Sequence, residues 1–178
     1  MKKKWILIVI FSLSIQLWGQ RTNQLNDMII YSLKASIAER NRRISENPHW
    51  DIDTTLHYVR KDGLPLDFPF DSLPNVVFFN FDNIRKLTNP LKRNVGALEI
   101  FHGIEDNLLR ISIRPIGIRR RVGRGVNIFV SSSGSGTHRF FYRYCYDKQE
   151  WMLIRIQRGT KSIDVIQPGN GADVRPCQ

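Results

Sequence analysis

Cysteine is nearly absent from this chain, with two residues, Cys145 and Cys177, among 178. Two thiols permit one disulfide at most. Histidine is almost as sparse. His49, His57, His102 and His138 stand singly, and no pair falls within the spacing of two to five residues that a zinc site favours. No apolar run suits a membrane-spanning helix, because the longest, Trp5 to Trp18, is short and broken by Ser12, Ser14 and Gln16. Acid is in short supply too, 16 Asp and Glu against 27 Lys and Arg, a net charge of +11. There is no internal repeat, no second domain and no low-complexity tract beyond the bend Ser133-Gly134-Ser135-Gly136.

What is present begins with a signal-like segment. Met1-Lys2-Lys3-Lys4 is a positive n-region, Trp5 to Trp18 an apolar h-region, and Gly19-Gln20 closes it. Residues 1–19 therefore read as a signal peptide and residues 20–178 as one exported α+β domain, periplasmic or secreted. An uncleaved anchor is the alternative, and the lack of a Cys at the end of the signal argues against lipid modification. Loss of Lys2, Lys3 and Lys4 leaves 24 basic residues against 16 acidic ones, still +8. Such charge favours anionic neighbours: acidic glycan, lipopolysaccharide or an acidic protein. Export also permits a Cys145–Cys177 disulfide, closing a loop of about thirty residues and worth roughly 3–4 kcal/mol in the chain-entropy account. The alternative is a buried Cys145 with a free tail thiol.

One substantial helix is expected over residues 22–44. Leu25, Met28, Ile29, Leu33, Ile37 and Ile44 recur at helical spacing, Thr22 or Asn23 caps the start, and Asn47-Pro48 stops the end. Asn26, Lys34, Arg40 and Arg42 form the face expected to be wet. Strands are expected over residues 55–60, 76–81, 97–104, 108–114, 126–132, 138–146 and 151–157, where β-branched and aromatic residues alternate. Leu64, Leu66, Phe68 and Phe70 suggest an extended edge segment with one apolar side. Ile163 to Ile166 is a candidate edge strand. The predicted fold is one amphipathic helix on a curved antiparallel sheet of six to seven strands.

The block from Val126 to Gln157 reads as three successive antiparallel strands. A four-residue hairpin loop at Asp147 to Glu150 sets Tyr146 opposite Trp151, Tyr144 opposite Leu153 and Tyr142 opposite Arg155. Tyr142, Tyr144 and Trp151 then stack along one face, a sugar- or peptide-binding platform if open and ordinary core if covered.

The strongest chemical signal is basic. Arg110, Arg114, Arg119, Arg120, Arg121 and Arg124 crowd into fifteen residues, the last four on an expected loop from Pro115 to Gly125. Arginine suits planar, bidentate contact with carboxylate, phosphate or sulfate. The plain alternative is a solvated face that keeps the domain soluble. Nucleic acid is a poor partner for an exported chain without a basic-plus-aromatic motif. Ser131 to Gly136 lies between strands with no helix to follow, so it is a hairpin loop and not a phosphate cradle. His49 with Asp51 and Asp53 lacks a third metal ligand, no cofactor is implied, and His102 with Glu99 is the nearest acid/base pair.

Tyr58 to Phe70, Val76-Val-Phe-Phe79 and Lys148 to Leu153 resemble segments of small exported domains of unknown function of Bacteroidetes type. The resemblance implies periplasmic or secreted placement and carries no activity. The helix-then-sheet order is also similar to NTF2-like cones and cystatin-like layouts, an analogy of fold alone. The sequence thus predicts a non-enzymatic binding domain for an anionic ligand, glycan or protein. An NTF2-like enzyme with a pocket, or an inhibitor presenting Pro115 to Gly125, is the alternative.

Overall fold

A computed structural model describes residues 2–47, 55–80, 94–122, 126–132 and 136–164. Among these residues it is an α+β fold with one α-helix, α1 (Lys2–Ser45), and an eight-stranded, mostly antiparallel sheet. The strands are β1 (His57–Arg60), β2 (Val76–Phe79), β3 (Asn94–Glu105), β4 (Leu108–Val122), β5 (Val126–Ser132), β6 (His138–Cys145), β7 (Glu150–Arg158) and β8 (Lys161–Asp164). Two departures from a wholly antiparallel sheet lie at one edge, where β1 runs parallel to both β2 and β3.

The organising strand is β4. Its fifteen residues pair with β3 along one side. The other side is shared: β6 pairs with Leu109 to Ile113, and β5 pairs with Ile116 to Val122. The block from Val126 to Gln157 is therefore not three neighbouring strands, since β5 never pairs with β6 among the described contacts. The handover falls at Arg114-Pro115, and proline has no N–H to give a ladder at such a junction. Gly136 sits against Pro115, where a Cβ would approach the ring to 2.7 Å.

Alternation along β4 sorts the sheet into two faces. Leu109, Ile111 and Ile113 face α1 with Leu98, Ile100 and Phe140, and Ile29 and Leu33 of α1 close the layer from above. Each such side chain, nearly fully buried, contributes about 1.5–3 kcal/mol. The opposite face carries a second cluster of Val95, Ala97, Ile116, Ile118 and Phe79.

Several expectations change. The helix runs unbroken from Lys2, so Thr22 and Asn23 lie inside it and do not cap a helix start. Asn26 is buried, donating to the Asp67 carbonyl at 3.3 Å, and Arg40 is half-buried; only Lys34 and Arg42 of the expected wet face are exposed. The stretch after β1 explains part of this, because it folds over the flank of the helix as two short 3-10 turns, Lys61–Gly63 and Phe70–Ser72. Phe68 is consequently core while Leu66 is fully exposed, so no single apolar side forms there. Pro115 to Val122 is strand and not loop, because Ile116 and Ile118 keep the period of two and are buried. The β6–β7 turn comprises Tyr146 to Gln149, one residue earlier than expected, with Gln149 at φ 53°.

Candidate functional site

The turn position moves the whole hairpin register. Tyr144 lies opposite Trp151, Arg143 opposite Met152 and Tyr142 opposite Leu153. A bulge then absorbs Ile154, so that Phe141 faces Arg155 and Arg139 faces Gln157. The extra residue restores alternation for the far half of β7. It turns Arg155 and Gln157 away from α1 and leaves Arg158 toward it, where Arg158 reaches Glu39 at 3.4 Å.

On the face away from α1 the register builds two rows. Arg110, Phe141 and Arg155 form one, and Ser112, Arg139 and Gln157 the other. Around their ends Arg110, Arg139 and Arg155, with Phe141, Glu105 and Gln157, line a cavity of about 370 Å³. Arg155 stacks on Phe141 with its guanidinium carbon 4.1 Å from the ring centroid, which fixes the arginine over a buried aromatic. Its Nε is buried without a hydrogen-bond partner. Arg110 pairs with Glu105. Asp106 also lines the cavity and Asp164 of β8 lies opposite Arg155, but among the described residues neither Arg139 nor Arg155 forms an ion pair. Three arginines thus face two lining carboxylates, Glu105 and Asp106, a surplus of one positive charge.

The predicted arginines scatter around this feature. Arg110 lines it. Arg114 lies further along the same face and is neutralised: its Nη2 donates to Glu99 at 2.6 Å, Arg60 pairs with the same carboxylate, and Phe101 lies 4.8 Å from the Arg114 guanidinium. Arg119, Arg120 and Arg121 belong to β4, where they pair in register with Phe129, Ile128 and Asn127 of β5. Arg124, like His49, Asp51 and Asp53, lies outside the described residues. Arg139 is the addition that counting arginines along β4 does not find, while Arg155, expected on a nearby strand opposite Tyr142, lies instead opposite Phe141 on the outer face. The signal for them was cross-strand register, which the bulge at Ile154 concealed.

The predicted aromatics fall on the opposite face. Tyr142 is buried beneath α1, so it belongs to the core and not to a platform. Its hydroxyl donates to the Met28 carbonyl at 3.3 Å and lies 2.8 Å from Ser32 Oγ. Tyr144 packs edge-on against Trp151 and Tyr146 at centroid distances of 5.4 and 5.1 Å. These three help to line a groove of about 1020 Å³ between the sheet tip and Leu25 and Met28 of α1. The stacking and basic groups expected on one surface are therefore on two, since Tyr144 and Arg139 have opposite parity in β6.

Other expected groups separate as well. Glu99 is held by Arg60 and Arg114, whereas His102 is exposed three residues along β3, on the other side of the strand. They do not form an acid/base pair. Cys145 is buried at the end of β6, and Cys177 lies outside the described residues. No group of three metal-ligating side chains occurs among the described residues.

At the C-terminal half of α1, beside buried Ser36 and His57, lie two buried groups whose titration is strongly shifted, Glu39 and His138. Arg42 and Arg43 hydrogen-bond Glu39, and with Arg158 nearby they outweigh its burial and hold the carboxyl down at about 2. Burial, reinforced by Arg158 and Arg43, holds His138 down at about 4, and its Nδ1 lies 3.1 Å from Ser36 Oγ. Neither group is poised near neutrality, as a general acid or base needs to be. No family model, no curated protein and no solved structure matches the chain.

Proposed function

We propose that this chain is an exported binding domain that captures an anionic group of an extracytoplasmic partner on the outer face of its sheet. The observation that carries the reading is the convergence of Arg110, Arg139 and Arg155 on one concavity lined by two carboxylates, with Arg139 and Arg155 forming no ion pair among the described residues. The Arg155 guanidinium, fixed by stacking on Phe141, loses little freedom on binding, which favours bidentate contact with sulfate, carboxylate or phosphate. An acidic glycan presents such groups at intervals along a chain, and the row of arginines across neighbouring strands suits a linear polyanion. The signal-like segment of residues 1–19, the helix over one face of the sheet and the resemblance to exported domains all accord with capture outside the cytoplasm. A catalytic reading in the manner of an NTF2-like cone gains little support, because Glu39 is saturated by arginines and His138 is a weak base.

Retention on immobilised heparin tests the proposal. Arg139→Gln/Arg155→Gln should elute at markedly lower salt than the parent, by more than a Lys148→Gln/Lys161→Gln control that removes two exposed positive charges elsewhere. Equal shifts in the two variants would mean diffuse attraction by net charge, and the site would be abandoned.

A further inference from the structure

Between the C-terminal half of α1 and the opposite face of the sheet lies a second cavity, of about 260 Å³. Its wall is mostly apolar, built from Ile44 of α1, Leu98 of β3, and Ile113 and Pro115 of β4. For comparison, an apolar cavity of about 150 Å³ is enough to take a benzene ring. Ser36, Glu39, Arg40, Arg43 and His138 complete the lining, and of its charged groups Glu39 and Arg43 pair with each other whereas Arg40 has no ion-pair partner among the described residues. Arg40 enters from the helix and donates through Nη1 to His57 Nδ1 at 3.0 Å. Its Nη2 lies over Gly96, where a Cβ would come within 3.2 Å of it. Among the described residues no carboxylate pairs with Arg40.

The charges around the cavity sum simply. Glu39 is neutralised by Arg42, Arg43 and Arg158, which leaves that cluster cationic at its outer edge. His138 is neutral and bonded to Ser36. Half-buried Arg40 brings to the apolar wall a charge that forms no ion pair among the described residues, and burial lowers its pKa. A buried charge without a counterion is costly, and the cost is relieved when a ligand supplies the opposite sign. One positive charge in an apolar cavity matches one negative charge. An inorganic phosphate, having no apolar body, would leave the apolar wall uncovered.

We infer that this cavity is a binding site for a small amphiphilic monocarboxylate, whose carboxylate pairs with Arg40 and whose apolar body lies against Leu98, Ile113 and Pro115. The site is independent of the arginine cavity on the other face, and either can stand without the other. Octanoate is the probe, with octanol as its uncharged counterpart, both titrated by isothermal calorimetry into the full domain. Octanoate should bind saturably at one site. Arg40→Gln should weaken it by about tenfold or more, the effect of one charge-assisted contact. The weaker octanol signal should be alike for parent and variant. Leu98→Phe, which fills the wall and leaves every charge in place, should also weaken octanoate, and it keeps the test decisive should Arg40→Gln fail to fold. Lys34→Gln serves as the exposed-charge control. The inference fails if the folded parent shows no saturable octanoate binding up to about 10 mM. It fails equally if Arg40→Gln or Leu98→Phe, folded by circular dichroism, binds octanoate as the parent does.

Discussion

Tyr142 carries its hydroxyl into the contact between helix and sheet, and two partners on α1 make that burial tolerable. Burial, against the opposing effect of the Ser32 hydrogen bond, pushes the phenol up to about 12, so it stays a neutral donor throughout the physiological range. In Tyr142→Phe the Met28 carbonyl keeps its place in the helix, and Ser32 can turn back to a carbonyl one turn earlier. The expected cost is thus about 1 kcal/mol, that of a hydrogen bond whose partners find substitutes, read as a shift in the urea midpoint at unchanged slope. His138 sets a larger effect with a definite sign. Its folded pKa, about 4, lies below the ordinary 6.5, so the unfolded chain binds the proton more tightly. The stability from burying neutral His138 is complete above pH 6.5 and is lost as pH falls toward 4, by roughly 3 kcal/mol in all. Glu39, Arg43, Arg158 and Ser36 face it, and Glu39 titrates lower, between its ordinary 4.5 and about 2. His138→Gln should therefore flatten the melting temperature between pH 6.5 and 4.5. A variant with the parent's slope in that window would remove His138 as the cause.

At the scale of elements, close backbone approach decides how the parallel edge is held. Gly63 ends the 3-10 turn after β1 and lies against β3, where a Cβ would stand under 3.0 Å from the Ile100 carbonyl. That atom is backbone and cannot swing aside, so Gly63→Ala must move the turn or the strand. The expected loss is about 2–3 kcal/mol, in the range of overpacked core sites. Gly103, also in β3, has nothing within 4 Å of an added Cβ, and Gly103→Ala should lie within about 0.5 kcal/mol of the parent by thermal or urea unfolding. Period-two alternation made the β3–β4 hairpin legible in the sequence, with Asp106 and Asn107 at its tip, both at positive φ. The same alternation continues through Ile116 and Ile118, but the arginines beyond them looked like a loop. Charge density says where a chain is wet and nothing of whether it pairs. The parallel pairing of β1 was not legible, since no sequence period distinguishes a short parallel strand from an antiparallel one. The candidate site was half legible for a related reason. Arg110 stands in a visible cluster, whereas Arg139 and Arg155 come beside it only through a bulge and a turn shifted by one residue.

For the molecule as a whole, the sheet is a partition. One face meets α1 and its buried polar network, and the other carries the arginine rows and the second apolar cluster. Cys145 shares its strand parity with Arg139 and Phe141, so it belongs to the arginine face, buried at the end of β6. A bridge from Cys145 to Cys177 would bring the C-terminal tail to that end of the same face. It would close a loop of about thirty residues and limit the unfolded ensemble, which predicts roughly 3–4 kcal/mol of stability under oxidising conditions. Intact mass of protein recovered from an oxidising compartment should then fall about 2 Da below the fully reduced value, two hydrogens having been lost. Reduction should lower the urea midpoint, while Cys177→Ser should match the reduced parent and respond no further to reductant. Cys145→Ser is the poorer probe, because it also places a hydroxyl in a buried site. If Cys177→Ser unfolds where the oxidised parent does, the tail is not fastened to β6, and the arginine face owes nothing of its shape to that link.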